Sequence, residues 1–453
     1  MRYAGETRPQ RLRQLQLAFL LAFTLAALGL AFWSVFRAPE LAAREDNPRR
    51  VEAELRIQRG RILDDNGEVI AQTVGPPAAR ERVYPSPTIG PAVGYYSFRH
   101  GTAGVEEAFD STLRGESENF WVNFWRDLLH QPQVGQDIRL TLDTGWQRAA
   151  DALLGDYRGA MVLLTPADGA IRIMVSHPGY DPNLLDEQFE ELIADEDAPL
   201  LNRATQSQYQ PGLAMAPFLV AAALERGSIE LDEGVPAAQQ PVAVNGETLT
   251  CLRPVPPAAT WLDVLQSGCA APLAGLGTEL SVAGLTELYD AIGFTRAPAV
   301  PLTTAPAEPS PIEDVELAAV GQDTLTVTPL QMSLALAALA AEGRLPHPQL
   351  VTSVIDAEGN RVNVLSGAQE EVAISAEVAQ QVLQALPRYN GLIAEYVAPA
   401  VSGPEGDRVG WYLALAPADS PQYALVVTIE GDGGLQAAQQ IGRALLRHIL
   451  APE

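Results

Sequence analysis

From Leu15 to Phe36 the chain runs for 22 residues without a charge, LQLAFLLAFTLAALGLAFWSVF. As an α-helix this stretch is about 33 Å long, enough to cross a hydrocarbon core of about 30 Å. Trp33 and Phe36 stand at its far end, where interfacial aromatics belong. It outruns the roughly 7–15 residue apolar region of a cleaved signal peptide. No other segment matches its length, and the Ala- and Leu-rich stretch Leu330–Ala341 is too short to cross. We therefore read an uncleaved, single-pass signal anchor rather than a core helix. Arg2, Arg8, Arg11 and Arg13 precede it and Arg37, Arg44, Arg49 and Arg50 follow it, so charge alone does not orient it. A large C-terminal body behind one N-terminal anchor is most often translocated, which places the bulk of the chain outside the cytoplasm.

Beyond the anchor the chain has the composition of a folded protein. At 453 residues and 47% hydrophobic content it can bury a sizeable core, with room for about three domains of roughly 150 residues. Acidic residues number 56 against 30 basic ones, a net charge of −26 that repels a nucleic-acid backbone and excludes that partner class. All 30 basic residues are arginine; the chain has no lysine. That removes Schiff-base chemistry, the Walker A loop and the kinase strand lysine, and arginine stays protonated and cannot serve as a general base. The five histidines and two cysteines lie in no metal-ligand spacing. No metal or cofactor is expected.

The organisation follows from punctuation. We expect residues 1–14 as a cytoplasmic tail, 15–36 as the anchor, 37–50 as a charged linker, 51–138 as a β-rich pedestal and 139–453 as one large domain. Asp65-Asn66-Gly67 signals a hairpin turn in the pedestal. Residues 138–147 read as a strand and a helix start. Two apolar runs about Ala167-Asp168-Gly169 read as a hairpin. Seven acids between Asp186 and Asp197 fall on the solvated face of an amphipathic helix. Residues 297–311, with five prolines, form a loop. VGWYLALAP and YALVVTIEG predict two antiparallel strands, and Gly434–Leu450 a final helix. The fold class is α/β: an antiparallel sheet closed by strands from both ends of one domain and flanked by helices.

These residues resemble a family, the class B penicillin-binding proteins, and in particular the penicillin-binding protein A type. Arg59-Gly60-Arg61-Ile62, Asp65-Asn66-Gly67 and Ile70-Ala71 are similar to its opening pedestal motif. Tyr84-Pro85, Gly94-Tyr95, Gly104-Val105-Glu106 and Leu113-Arg114-Gly115 continue the likeness. Leu140-Thr141-Leu142-Asp143 with Gln147, His177-Pro178-Gly179-Tyr180-Asp181-Pro182-Asn183, Asn202-Arg203-Ala204 and Tyr209-Gln210-Pro211-Gly212 lead up to the active-site helix. Gly321-Gln322 and Thr328-Pro329-Leu330-Gln331-Met332 follow it. The resemblance implies a transpeptidase sandwich on a pedestal, and peptidoglycan cross-linking as the ancestral reaction.

That reaction needs a serine nucleophile with a lysine one helical turn later, so that the amine activates the hydroxyl on the same face. Here Leu213 stands in the nucleophile's place and Ala216 in the lysine's. The family's S-x-N motif falls on Ser267-Gly268-Cys269, with Cys269 where asparagine belongs. Its K-T-G motif is read at Val401-Ser402-Gly403. Main-chain donors of an oxyanion hole are expected to persist. Cys251 and Cys269 are either a disulfide, worth about 3 kcal/mol by loop closure in an oxidising compartment, or two buried thiols.

The resemblance and the missing residues together imply a membrane-anchored, non-catalytic pseudo-transpeptidase of cell-wall synthesis, serving elongation or division as scaffold or regulator. Its implied partners are the membrane, peptidoglycan or its precursors, and a polytopic lipid-linked polymerase of the shape, elongation, division and sporulation type. Two alternatives stay open: an active D,D-transpeptidase with an unrecognised nucleophile, and a module binding stem peptide without covalent chemistry.

Overall fold

The structure, a computed structural model, describes residues 8–33, 57–77, 79–116, 125, 129, 133–244, 247–306, 311–356, 359–363, 371–402 and 407–451. Helix α1 (Arg8–Ala31) carries the apolar stretch Leu12–Ala31, none of it buried against the rest of the protein. Leucines and phenylalanines project from it on all sides, as a lipid-facing helix requires. Phe36, the expected end of the span, lies outside the described residues.

Strands β1 (Ile62–Leu63) and β2 (Val69–Val74) flank the Asp65-Asn66-Gly67 turn and pair antiparallel, Ile62 opposite Ala71. Strand β3 (Glu81–Val83) extends this sheet on one side, and β4 (Asp137–Leu140) pairs parallel to β1. Beyond β4 come β7 (Val351–Ile355) and β8 (Arg361–Asn363), giving six strands in the order β8-β7-β4-β1-β2-β3. The boundary expected at 138–139 therefore falls inside β4, whose two neighbours come from opposite sides of it.

The pedestal is held by a buried charge cluster. Glu106 is wholly buried, and its carboxylate accepts from Arg59 at 2.8 Å and from Arg82 at 2.7 Å. Burial pushes the Glu106 pKa up, but the two guanidiniums outweigh it and leave the group below its ordinary range. Arg59 and Glu106 come from two separate motifs of the sequence and Arg82 from β3, so the cluster ties distant segments together.

After β4, Asp143 caps helix α2 (Thr144–Leu154) by accepting the Trp146 N–H. The hairpin about Ala167-Asp168-Gly169 is β5 (Gly159–Leu164) and β6 (Ile171–His177). The acidic stretch opens with α3 (Leu185–Ala194), which buries only Leu185 and leaves its acids in solvent. A 3-10 turn (Gly212–Met215) leads into α4 (Ala216–Glu225), and α5 (Trp261–Ser267) and α6 (Ala270–Ala291) follow. Helix α7 (Pro329–Ala340) is buried almost entirely and starts with a Thr328–Gln331 capping box.

The main sheet is completed by β9 (Arg388–Tyr389), β10 (Ile393–Ser402), β11 (Asp407–Ala416) and β12 (Tyr423–Glu430), in the order β9-β10-β11-β12-β5-β6. The two hairpins thus share one antiparallel sheet, as expected. Alternation sorts its side chains: Tyr396, Ala398, Trp411, Leu413 and Val426 join the helical core with α4 and α7. Tyr412, Ala414, Leu425 and Val427 face the other way, onto α2 and the terminal helix α8 (Gly434–Ile449). The result is the expected α/β sandwich.

Candidate active-site groove

The expected nucleophile position is built by main-chain contacts. Tyr209 and Val327 exchange both main-chain hydrogen bonds, at 3.0 and 2.8 Å. Gly212 then turns the chain with φ +55° and donates its N–H to Gly321 at 2.9 Å. Only glycine fits: a Cβ there would lie 2.5 Å from the Pro399 carbonyl oxygen and 2.6 Å from the Ala400 Cβ. Leu213 follows in the 3-10 turn, and the α-helix begins only at Ala216. The expected arrangement, Leu213 at the mouth of a helix with Ala216 one turn on, changes in this detail. Residues three apart eclipse in a 3-10 turn, so the two positions still share a side. Leu213 is 0% exposed and Ala216 1%, so the pair is core rather than groove wall. Neither can attack a carbonyl or accept a proton.

Ser267 ends α5, Gly268 caps it at φ +61°, and Cys269 precedes α6. Cys269 is joined to Cys251 by a disulfide, with Cα atoms 3.8 Å apart. The bridge lays residues 251–253 along the loop, and the Ser267 carbonyl accepts the N–H groups of Leu252 at 2.9 Å and Arg253 at 3.2 Å. Leu252 covers Gly268, where an added Cβ would meet its Cδ1 at 2.9 Å and the Tyr396 hydroxyl at 3.4 Å. The space left open is a small cleft of about 140 Å³, lined by Arg253, Ser267, Tyr396, Val397 and Gln436 among others.

On the groove strand β10 the two expected positions lie elsewhere. Val401 is gripped through its main chain by Gln322, and Ser402 accepts the Gln210 N–H at 3.2 Å. Trp411 locks the same segment by donating from Nε1 to the Gln210 carbonyl at 3.1 Å. Gly403 lies outside the described residues. The part of β10 beside the Ser267 loop is Tyr396–Val397, and the part beside Gly212 is Pro399–Ala400. The reading of Val401-Ser402-Gly403 as the K-T-G motif is thus displaced five residues along the strand from the serine loop.

Tyr396 and Pro399 were missed by sequence reasoning. Neither resembles the motif, whereas the Ser-Gly pair at 402–403 does; only strand pairing reveals which residues meet the loop. Tyr396 is 3% exposed and its hydroxyl has no hydrogen-bond partner among the described residues. Burial raises its pKa, only partly offset by Arg253, so the phenol stays protonated and supplies no base. Pro399 brings no N–H to its contact with Gly212, so the expected oxyanion donors do not persist there on the strand side. Among the described residues no three His, Cys, Asp or Glu side chains gather as metal ligands.

Comparison with known proteins places this geometry. Residues 159–390 match the penicillin binding protein transpeptidase domain, and residues 59–138 the penicillin binding protein A dimerisation domain. The chain is 30% identical to the peptidoglycan D,D-transpeptidase PbpA of Mycolicibacterium smegmatis, over 96% of this chain and 98% of that one. Against PbpA of Mycobacterium tuberculosis the identity is 28%, over 98% and 99%. The solved structure of M. tuberculosis penicillin-binding protein A as an imipenem acyl-enzyme superposes with a TM-score of 0.79 at 27% identity, covering 88% of this chain and 99% of that one. The D,D-transpeptidase domain of an Eggerthella lenta peptidoglycan glycosyltransferase gives a TM-score of 0.75 at 25% identity, covering 87% and 99%.

Proposed function

The chain belongs to the penicillin-binding transpeptidase family, and from that premise we propose that it is a membrane-anchored, non-catalytic pseudo-transpeptidase of peptidoglycan synthesis. The observation that carries this reading is the burial of Leu213 and Ala216, the residues we assign to the places of the nucleophile and its base, in a chain without lysine. Losing both partners of a nucleophile–base pair removes on the order of 10⁶-fold in rate in the serine-protease precedent. Ser267, the serine of the groove loop, has no lysine to activate it in a chain that contains none.

In this reading helix α1 holds the protein to the membrane, with the body outside the cytoplasm. The pedestal and the anchor engage a polytopic lipid-linked glycan polymerase, and the sandwich acts as scaffold or regulator. Support comes from the parts the chain keeps: the pedestal with its Arg59–Glu106–Arg82 cluster, the apolar helix and the complete sheet.

The test is intact-mass spectrometry after incubation with benzylpenicillin. No covalent adduct is expected on the folded protein; a stoichiometric adduct would sink the pseudoenzyme reading. Co-purification from detergent with the polymerase tests the scaffold role, and protease digestion of intact spheroplasts tests the orientation.

A further inference from the structure

Strand β10 pairs with β11 along one edge from Ala394 to Ser402, but with β9 on the other edge only at Ile393 and Ala394. Among the described residues no strand pairs with that second edge past Ala394, and it runs beside the Gly212–Met215 turn and the Ser267 loop. In an antiparallel ladder, alternate residues turn both main-chain groups toward opposite edges. Two hydrogen bonds set the phase. The Glu395 N–H donates to the Pro387 carbonyl at 2.8 Å, and the Val401 N–H donates to Gln322 Oε1 at 2.9 Å. Both partners lie off β11, so the odd-numbered residues face the open edge. Val397 and Pro399 are in the same phase.

The open edge therefore offers three residues past Glu395: Val397, Pro399 and Val401. Val401 has its N–H taken by Gln322. Pro399, the one beside Gly212 and hence nearest the position before Leu213, has no N–H to offer. Proline is tolerated at this site because the ladder with β11 does not use that nitrogen. An acyl carbon attacked from position 213 would push negative charge onto an oxygen lying between the 213 main chain and this strand. Such charge is stabilised by preorganised N–H donors on both sides. Here the strand side is empty of donors at the place required.

We infer that Pro399 is a second lock on the groove, independent of the missing side chains: with nucleophile and amines restored, acylation stays slow while position 399 is proline. The inference rests on the reading of this groove as a transpeptidase groove without its nucleophile.

The test starts from the triple variant Leu213→Ser, Ala216→Lys, Tyr396→Lys, with and without Pro399→Ala. In the acylation step the introduced serine oxygen bonds to the lactam carbonyl carbon and the lactam C–N bond opens. The serine proton passes through the introduced amine to the lactam nitrogen. Acylation by benzylpenicillin, followed by intact mass, is expected to be faster with Pro399→Ala by on the order of 10²–10³-fold. Absence of any gain in folded protein, whether both variants acylate equally or neither does, overturns the inference. A second measurement needs no acylation. In the single variant Pro399→Ala, hydrogen exchange should find the introduced amide unprotected between protected neighbours Ala398 and Ala400. A protected amide at 399 would mean that it bonds β11, and the inference fails. A penicillin adduct on the wild-type chain would instead overturn the pseudoenzyme reading, so the two failures are distinct.

Discussion

Gln322 holds Val401 by both of its main-chain groups, accepting its N–H at 2.9 Å and donating to its carbonyl at 3.1 Å. One side-chain amide thus does for the open edge of β10 what a neighbouring strand would do. Replacing it frees two polar groups in a buried place, since Gln322 is 2% and Val401 7% exposed. Gln322→Ala should cost about 1–3 kcal/mol. Urea unfolding of the wild type and the variant measures it; a change below the error of the extrapolation would show that water replaces the amide without loss.

Leu213→Ala separates a core residue from a groove wall. A fully buried leucine loses about 2–5 kcal/mol on truncation, whereas a leucine lining open solvent loses little. An unchanged thermal midpoint would mean that the position is open, contrary to its burial here.

Much of this fold is legible in the sequence because local chemistry agrees with the tertiary answer. The Ala167-Asp168-Gly169 hairpin, the two C-terminal strands and the amphipathic last helix each carry their own periodicity and turns. The second sheet is not legible in that way. Strand β4 pairs with β7 more than 200 residues later, and nothing local in Val351–Ile355 names its partner. The site divides along the same line. Leu213 and Ala216 follow at once from Pro211-Gly212, because the spacing to the nucleophile is local. Tyr396 and Pro399 depend on the register of β10 against the serine loop, which is a property of the assembled sheet.

The pedestal cluster predicts acid sensitivity. The folded-state pKa of Glu106 is lowered, so its contribution is present above the unfolded value of about 4.3 and is lost as pH falls through the folded one. Glu106→Gln leaves Arg59 and Arg82 buried without their shared carboxylate and should cost about 3–5 kcal/mol near neutrality. The gap between wild type and variant should narrow on acidification below pH of about 4. A gap independent of pH would place the loss in packing rather than charge.

The Asp151–His177 pair predicts the opposite dependence. His177 Nε2 lies 2.6 Å from Asp151 Oδ1, joining β6 to α2. That hydrogen bond raises the His177 pKa, against a lowering by burial. A raised folded value means the contribution is complete below the unfolded pKa of about 6.5 and fades as pH rises through the folded one. Comparing wild type with His177→Asn by denaturant titration, the difference should be larger at about pH 6 than at about pH 9. A difference that grows with pH would reverse the assignment.

The Cys251–Cys269 bridge closes a separation of 18 residues and fastens Leu252 over Gly268 at the serine loop. Loop closure of this size is worth about 3 kcal/mol on the chain-entropy model. Thiol titration of the protein unfolded without reductant should find no free thiol, and reduction should release two, since these are the only cysteines in the chain. Cys251→Ser with Cys269→Ser should lower the unfolding free energy by about that amount. It should also loosen residues 251–253, whose hold on the Ser267 carbonyl consists of two main-chain hydrogen bonds. Hydrogen exchange reads this directly: the Leu252 and Arg253 amides should lose protection in the double variant while strand β10 keeps its own. Equal protection of Leu252 and Arg253 in both proteins would show that packing of Leu252 on Gly268, and not the bridge, closes this end of the groove.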